Sequence, residues 1–460
     1  MHSRMALQNL FLSAALVVAV SSGVRASGDP LASYEADEAG DLSVSCLVDP
    51  TSTCVWPQDA SPIAPTEGAR VLKWEWTNEA DRKVEIRHSW SSSSFDLAGY
   101  DDIQVDLYFG AGSGLPAPGK IGIWDDVFDW VEGVPAPAST GEWTTVCMNV
   151  RHLDQQGLDH IYAFLLEDLD ETHGVVYVDN LRLVPHSRQL DFAGYSWTVK
   201  VGDAVGPGPN NFTASDEDVW VDDLGHLHLK VSQRCNRWNS SEVILDESMG
   251  YGTYVFSVSS RVDFDENIVL GLFTWDTDAP EYNYREIDFE FGRWGDPASD
   301  NAQFVVQPWD TPGNRQRFDI VYPPPPPCPL SADTTTHVMK WSRHAIEFSS
   351  YYGDFQSTPP PGCRIASWRY TGSDNPPPGG ENVRMNLWLM NGLPPVDGED
   401  AEVVISHFHY VSTDVPAIGR FGLTVVAVLL VCMSVLALAR QNARARGPST
   451  DRPTTRAGSS

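Results

Sequence analysis

Positive charge is scarce in this sequence. The chain of 460 residues has 31 Lys and Arg residues against 62 Asp and Glu residues, which gives a formal net charge of −31. Nucleic-acid binding requires a basic surface that neutralises phosphates, so this class of partner is excluded. The acidity itself is typical of a soluble exported protein and is compatible with a neutral ligand.

Helical periodicity and the usual zinc-binding spacings are also missing. Aromatic residues make up 11% of the chain, and 36 Gly and 33 Pro are present. This composition favours β-sandwiches joined by turns over helical bundles. No Cys-x-x-Cys or His-x-x-x-His pattern occurs, so a dedicated zinc site is not expected. We expect no metal and no cofactor, and leave a structural calcium open.

Long apolar runs occur only near the two ends. Residues 1–26 have the pattern of a signal peptide, and residues 418–439 are long and apolar enough to predict a transmembrane helix. The arginines of 440–460 predict a basic cytoplasmic tail. We therefore expect a single-pass membrane protein at the cell surface, with everything between these segments exported. The same C-terminal segment also resembles bacterial sorting tails, which implies the alternative that it is cleaved.

Six of the seven cysteines lie outside the C-terminal apolar run, in the part expected to be in an oxidising compartment. Sequence alone cannot fix their pairing. Cys46–Cys54 and Cys328–Cys363 are the two candidate disulfides.

Alternating apolar and polar residues predict an all-β chain. Residues 27–66 lack sustained periodicity and are interpreted as a linker. Short strands at 103–109 and 175–183 predict a first β-sandwich over 67–186, and similar patterns predict a second over 187–413. The predicted fold is thus two β-sandwich domains in tandem, followed by one C-terminal transmembrane helix.

The first sandwich resembles the ends of jelly-roll carbohydrate-binding modules at 141–143 and 175–183. This resemblance implies that exposed aromatic side chains stack on sugar rings. Trp124, Trp130 and Trp143 are the candidates, and burial in the core is the alternative.

Residues 284–292 carry three acids at alternate positions: Glu286, Asp288 and Glu290. On a strand these would share one face, while the apolar residues between them would be buried on the other. Like charges so close together are destabilising and push pKa values apart, which is useful for acid–base chemistry. The alternative is a solvated acidic strand without catalysis.

This stretch matches the Glu-x-Asp-x-Glu signature and resembles glycoside hydrolase family 16. The single residue between Asp288 and Glu290 is similar to the licheninase and xyloglucan-transferase branches, which have a regular strand there. Further landmarks follow the family's order at 241–244, 251–254, 267–275, 301–304, 337–341 and 385–388.

The resemblance implies a jelly roll and a retaining endo-glycosidase that hydrolyses β-linked glucan (β-1,3-1,4 or β-1,3) at the cell surface. It implies Glu286 as nucleophile, Glu290 as general acid/base, and Asp288 as the residue that hydrogen-bonds the nucleophile and helps to set its pKa. The expected substrate-binding residues are Glu242, Trp275, Trp294, Gln303, Asn386 and Trp388. Rival functions are a transglycosylase acting on cell-wall polysaccharide and a non-catalytic carbohydrate-binding surface protein.

Two positions depart from the family's pattern. Residues 346–353 differ from the usual aromatic run, and Arg285 replaces an acidic residue often found before the nucleophile.

Overall fold

The computed structural model describes residues 29–413 with gaps at 33–41, 48–52, 60–62, 67, 79–81, 91–95, 111–119, 125–128, 134–140, 152–159, 170–171, 236, 327, 329–332 and 355–360. The predicted signal peptide, transmembrane helix and basic tail lie outside this range. Within the described range, no helix is both long and apolar enough to cross a membrane.

Almost all of the regular secondary structure in the described residues is β-strand, as predicted. The first eleven strands are β1 (Asp29–Ala32), β2 (Leu42–Leu47), β3 (Thr53–Asp59), β4 (Arg70–Asn78), β5 (Arg82–Trp90), β6 (Tyr100–Phe109), β7 (Lys120–Trp124), β8 (Asp129–Gly133), β9 (Trp143–Asn149), β10 (His160–Leu169) and β11 (Thr172–Pro185).

Seventeen more strands follow in the described part of the chain. They are β12 (Arg188–Phe192), β13 (Tyr195–Val199), β14 (Gly202–Val205), β15 (Asn210–Phe212), β16 (Val219–Val221), β17 (Leu227–Arg234), β18 (Arg237–Ser248), β19 (Gly252–Val258), β20 (Ile268–Trp275), β21 (Ile287–Gly292), β22 (Ala302–Val306), β23 (Arg315–Phe318), β24 (Thr335–Ser342), β25 (Ala345–Tyr352), β26 (Arg364–Tyr370), β27 (Asn382–Leu389) and β28 (Ala401–Ser412). Short 3-10 turns lie at Pro280–Arg285, Pro361–Cys363 and Met390–Gly392.

Strands β1 to β11 form two antiparallel sheets. One has the order β3-β4-β11-β6-β9, with β1 also paired to β11, and the other has the order β2-β5-β10-β7-β8. Strands β1, β2 and β3 lie within 27–66, where a linker was predicted, and they pair with β11, β5 and β4. The linker interpretation is therefore wrong for these strands. These strands are short and of mixed polarity, so their own sequence does not indicate a strand. They form because they pair with strands far along the chain.

Fifteen of the strands from β12 to β28 form two larger sheets, while β14 and β15 pair with each other and β15 pairs with β18. The front sheet has the order β12-β13-β18-β27-β20-β21-β22-β23. The back sheet has the order β16-β17-β28-β19-β24-β25-β26. Because β17 also pairs with β18, the two sheets are joined along one side.

The core lies between these two sheets and fixes the orientation of β21. Ile287, Phe289 and Phe291 are at most 1% exposed. The Phe289 ring packs edge-on against Phe256 and Phe348 of the back sheet, with centroids 6.1 and 5.4 Å away. Because side chains alternate along a strand, burial of these apolar residues forces the intervening acids onto the outer face of the front sheet.

Two disulfides lie among the described residues. Cys328–Cys363 confirms one of the two predicted pairs. The second joins Cys147 of β9 to Cys235, in the turn between β17 and β18. It links the first set of sheets to the second, a pairing that sequence spacing did not indicate. The side chains of Cys46 and Cys54 lie outside the described residues.

Ion pairs surround the Cys147–Cys235 disulfide. Asp102 accepts a hydrogen bond of 2.8 Å from Arg237. Arg151 is ion-paired with Asp101 on its own sheet and with Asp203 on the other side of the junction. The junction between residues 29–185 and 188–413 is thus both covalent and charged.

Candidate active site

The three acids lie where β21 crosses the middle of the front sheet. The strand begins at Ile287, and Glu286 directly precedes it with extended dihedrals of φ −84 and ψ 123. Tyr284 and Arg285 have φ of 57 and 53, so the strand does not reach back to 284 as the sequence pattern suggested. They belong to the 3-10 turn that delivers Glu286 to the site. Pairing of β21 with β20 and β22 runs without a bulge, as the spacing predicted.

A cavity of about 400 Å³ opens over these acids. Its walls come from β18, β20, β27 and the loop after β14. The lining residues are Lys200, Gly206, Pro207, Glu242, Gly271, Phe273, Trp275, Glu286, Asp288, Glu290, Arg384, Asn386 and Trp388.

Burial keeps protons on the acid cluster. It raises the pKa of Glu286 to about 8, with the negative charge of Glu290 as the second cause. The pKa of Glu290 is also raised by burial, against a hydrogen bond from Gln303 that lowers it. The empty site therefore retains protons at pH values where isolated carboxyl groups are ionised.

Asp288 is the natural holder of one of these protons. Burial raises the pKa of Asp288 well above its usual range, and the charges of Glu286 and Glu290 raise it further. The hydrogen bond between Asp288 and Glu286 lowers the pKa of Glu286 and raises that of Asp288. That is the pattern of an Asp288 hydroxyl donating to a Glu286 carboxylate. Gln307 donates to the other side of Asp288 at 3.4 Å.

Glu290 is held from the opposite side by Gln303 of β22. The Gln303 side-chain amide donates to the Glu290 carboxylate. Arg317 of β23 donates in turn to the Gln303 carbonyl oxygen at 3.2 Å. A hydrogen-bonded row therefore runs from Glu290 across two strands to the edge of the sheet.

Glu242 is fully buried in the cavity wall and is surrounded by donors. Lys200 approaches it at 2.8 Å, Arg384 at 3.1 Å and the Asn386 amide at 3.2 Å. Asn386 also accepts the Gly271 backbone N–H at 3.1 Å. Because both oxygens of the Glu242 carboxylate are held by these partners, Glu242 fixes the positions of the neighbouring side chains in this wall of the cavity.

Aromatic side chains form the cavity's rim. Trp275 stacks on Tyr284 with ring centroids 4.5 Å apart and planes at 6°, and its indole N–H donates to Thr277 at 3.1 Å. Trp388 is half-buried on the same face of β27 as Asn386. Flat aromatic faces of this kind suit sugar rings.

The structure gathers most of the predicted substrate-binding residues at one place. Glu242, Trp275, Asn386 and Trp388 line the cavity with the three acids. Gln303 touches Glu290 without being part of the cavity wall, and Trp294 lies further out, under Arg317 at 4.4 Å.

Arg285, which departs from the family's pattern, points away from the acids. It is ion-paired with Asp276 at 2.9 Å, donates to the Pro377 carbonyl at 2.6 Å and lies over the Tyr282 ring. Its role is to hold the turn before Glu286.

Several residues in or beside the cavity were not predicted from the sequence. Lys200, Pro207 and Phe273 had no recognisable spacing, since they reach the site only through the pairing of distant strands. Arg384 could have been found, because it alternates with Asn386 and Trp388 along β27. Arg315 and Arg317 alternate in the same way on β23.

Of the three aromatic residues predicted to bind sugar on the first sandwich, the structure describes the side chain of one, Trp143. Trp143 is half-buried, and its indole N–H donates to the Ala64 carbonyl at 2.7 Å. The side chains of Trp124 and Trp130 lie outside the described residues, so sugar binding there stays a prediction. Across the described ranges, no cluster of three His, Cys, Asp or Glu side chains could hold a metal ion.

The chain is similar to a solved β-glucanase, a solved laminarinase and a solved transglycosylase over about half its length. A Bacillus licheniformis β-glucanase is 18% identical, with a TM-score of 0.32, covering 49% of this chain and 92% of that one. A laminarinase from Flavobacterium sp. UMI-01 is 12% identical, with a TM-score of 0.35, covering 47% and 93%. The Crh5 transglycosylase is 12% identical, with a TM-score of 0.32, covering 50% and 84%.

No protein-family model and no curated protein matches the sequence. Identities and TM-scores this low do not establish a family. The chemistry of the site is therefore taken from its own residues.

Proposed function

We propose that this protein is a retaining endo-glycosidase that hydrolyses a β-linked glucan, with Glu286 as nucleophile and Glu290 as general acid/base. The observation that carries the proposal is the juxtaposition of three interacting carboxyl groups, with Asp288 buried and Glu286 and Glu290 half-buried, in an aromatic-rimmed cavity. Glycosidic bonds are cleaved by such pairs of carboxyl groups, one ionised and one protonated.

The two acids have surroundings that suit different roles. Burial raises the pKa of both groups, to about 8 for Glu286. Against that shift, the hydrogen bond from Asp288 and the positive charge of Arg384 lower the pKa of Glu286 and stabilise its carboxylate. The raised pKa of Glu290 favours the protonated acid that the reaction needs there. Asp288 acts through Glu286 and is a positioning residue.

The reaction then runs in two balanced steps. Glu286 attacks the anomeric carbon while Glu290 gives its proton to the departing glycosidic oxygen, which leaves a glycosyl ester on Glu286. Glu290, now ionised, takes a proton from water, and the oxygen of that water displaces Glu286. The stereochemistry at the anomeric carbon is inverted twice and hence retained.

Substrate would lie in the cavity across β27, β20 and β21. Trp275 and Trp388 offer flat faces to sugar rings, and Asn386 offers an amide beside Glu242. The sequences of 1–26 and 418–439 support a location at the cell surface, which is part of the same proposal.

The test uses the full-length chain and an aryl β-oligoglucoside with a good leaving group. Glu286→Ala with added azide should release an α-glycosyl azide, because azide takes the nucleophile's place on the opposite face. Glu290→Ala with azide should release a β-glycosyl azide, because azide attacks the intact glycosyl-enzyme. Products are identified by NMR. Turnover by Glu286→Ala equal to wild type, or no cleavage by wild type of mixed-linkage β-glucan or laminarin, would overturn the proposal.

A further inference from the structure

Two arginines occupy the edge strand of the front sheet, on the catalytic side. Across β21, β22 and β23, Glu290 is opposite Gln303, which is opposite Arg317. Asp288 is opposite Val305, which is opposite Arg315. Directly opposed residues on antiparallel strands share a face. Both guanidinium groups therefore project from the same face as the catalytic acids, two strands away.

Neither arginine forms an ion pair with a carboxylate of the described residues. Among the described residues, no carboxylate lies within 4.0 Å of either guanidinium group. Arg317 instead contacts neutral acceptors, the Gln303 carbonyl at 3.2 Å and the Ser299 hydroxyl at 3.1 Å. Eight other arginines among the described residues pair with carboxylates, namely Arg151, Arg182, Arg234, Arg237, Arg261, Arg285, Arg369 and Arg384. Arg188 and Arg293 donate to backbone carbonyl oxygens instead.

An indole ring supports each guanidinium group. Arg317 lies 4.4 Å from the Trp294 ring centre, and Arg315 lies 5.2 Å from that of Trp309. Trp309 is 54% exposed, which is unusual for so large an apolar side chain. Stacking on an indole fixes the plane of a guanidinium group and leaves its N–H edges available. We call Arg315, Arg317, Trp294 and Trp309 the basic edge.

The two arginines also destabilise each other. Burial lowers the pKa of Arg317 and the positive charge of Arg315 lowers it further, against the negative charges of Asp300, Glu290 and Asp296, which raise it. Residues two apart on a strand are separated by roughly 6.6 Å, so one anion can contact both guanidinium groups. A bound anion would relieve their repulsion, and a planar guanidinium fork matches the paired oxygens of carboxylate or sulfate.

We propose that the basic edge binds an acidic substituent, a sulfate or a carboxylate, carried by a sugar of the polysaccharide on the β23 side of Glu290. This inference rests on the proposed function, because the hydrogen-bonded row from Glu290 through Gln303 to Arg317 connects the basic edge to the cleavage site. The exposed face of Trp309 provides a surface for the sugar ring that bears the substituent. The enzyme's substrate is then a substituted, anionic β-glycan.

The test compares one β-glucan in three forms: neutral, sulfated and carboxymethylated to the same degree. For the wild-type full chain, we expect kcat/KM on one anionic form to exceed that on the neutral form at least tenfold at low salt. This preference should shrink as salt is added, because exposed charges are screened. Whether the wild type prefers the sulfated or the carboxymethylated polymer identifies the acidic group that is bound.

The variants locate the effect. Arg315→Gln should reduce the anionic-to-neutral ratio several-fold, and Arg315→Gln combined with Arg317→Gln should bring it close to one. Arg369→Gln is the matched control, since Arg369 is an exposed arginine on the back sheet, paired with Glu347 at 3.1 Å. It should keep the wild-type ratio. Equal kcat/KM on all three forms, or a ratio unchanged in the double variant, would overturn the inference while leaving the glycosidase proposal standing.

Binding separates the two proposals if no polymer is cleaved. Affinity electrophoresis of Glu286→Gln through gels containing each polymer measures retention without turnover. Retention on an anionic gel that is lost in Glu286→Gln combined with Arg315→Gln would support the basic edge even if the hydrolytic proposal failed. Equal migration of both proteins on all gels would overturn it.

Discussion

Lys200 and Arg384 lie on the β18 side of the three acids of β21 and contact the fully buried carboxylate of Glu242. On the β23 side, Arg315 and Arg317 have no such partner among the described residues. The first pair is matched by a carboxylate of the protein itself, Glu242, so its charges stabilise the cavity wall. The second pair is unmatched and lies over the half-buried indole of Trp294 and the exposed indole of Trp309, so its charges are available to a ligand. Position on the same sheet face therefore does not imply the same role.

The largest effect is expected where the two sides meet, at Glu286. Replacing Glu286 with Gln should lower kcat on the order of 10⁴-fold, because the proposed nucleophile is removed while the fold is kept. Initial rates on mixed-linkage β-glucan measure this, with circular dichroism as a check of folding. A drop of less than tenfold would contradict the role of Glu286.

The next largest effect is expected at Glu242, the carboxylate that matches Lys200 and Arg384. Glu242→Gln leaves Lys200 and Arg384 without their buried counter-charge, and removal of one partner from a buried ion pair is destabilising by about 3 kcal/mol. Urea unfolding would measure the loss. Because Lys200 and Arg384 are partly exposed, at 17% and 13%, water screens part of the effect. An unchanged midpoint would mean that the pairing does not support the wall.

The pH dependence of stability tests the acids between the two sides. A carboxyl group whose pKa is raised on folding stabilises the fold fully below its unfolded pKa, and this contribution is lost as the pH rises through the folded pKa. For Glu286 the pKa rises from 4.5 to about 8. Between these values the free energy of unfolding of the wild type should fall by about 1.4 kcal/mol per pH unit relative to Glu286→Gln. Parallel curves for the two proteins would contradict this.

The smallest effect is expected at Arg315, which has no carboxylate partner among the described residues. Arg315→Gln should change the free energy of unfolding by less than about 0.5 kcal/mol, because an exposed, unpaired arginine contributes little to the fold. The charges of Arg317 and Arg315 lower the pKa of Glu290, so the alkaline limb of the pH–rate profile should move to higher pH in this variant. Large destabilisation by Arg315→Gln would mean that Arg315 supports the fold, as Lys200 and Arg384 do, and would contradict the difference between the two pairs.

The strand that carries the acids could be predicted because its information is local. Alternation of Glu286, Asp288 and Glu290 with buried apolar residues fixes both faces of β21 without knowledge of any partner strand. The turn before it could not be predicted in the same way. Tyr284 and Arg285 continue a strand-like pattern, but contacts with Trp275, Asp276 and Pro377 hold them in a turn.

Residues supplied by distant strands were harder to predict. Lys200 and Glu242 are 42 positions apart, and Arg384 and Glu242 are 142 apart, so their meeting depends on the pairing of β13, β18 and β27. The interpretation of 27–66 as a linker failed for a related reason. Its three short strands are stabilised by neighbours far along the chain, which composition does not reveal.

The Arg151–Asp203 ion pair has a consequence for modularity. Asp203 lies in the segment that continues to Gly206 and Pro207 of the cavity wall, whereas Arg151 belongs to the first set of sheets. Cutting the chain at the predicted boundary near 187 would remove this anchor together with the partner of Cys235. The residues that line the cavity all lie between 200 and 388, so the first set of sheets braces one wall of the cleft without lining it, and the two segments form a single unit for recombination and for protein engineering.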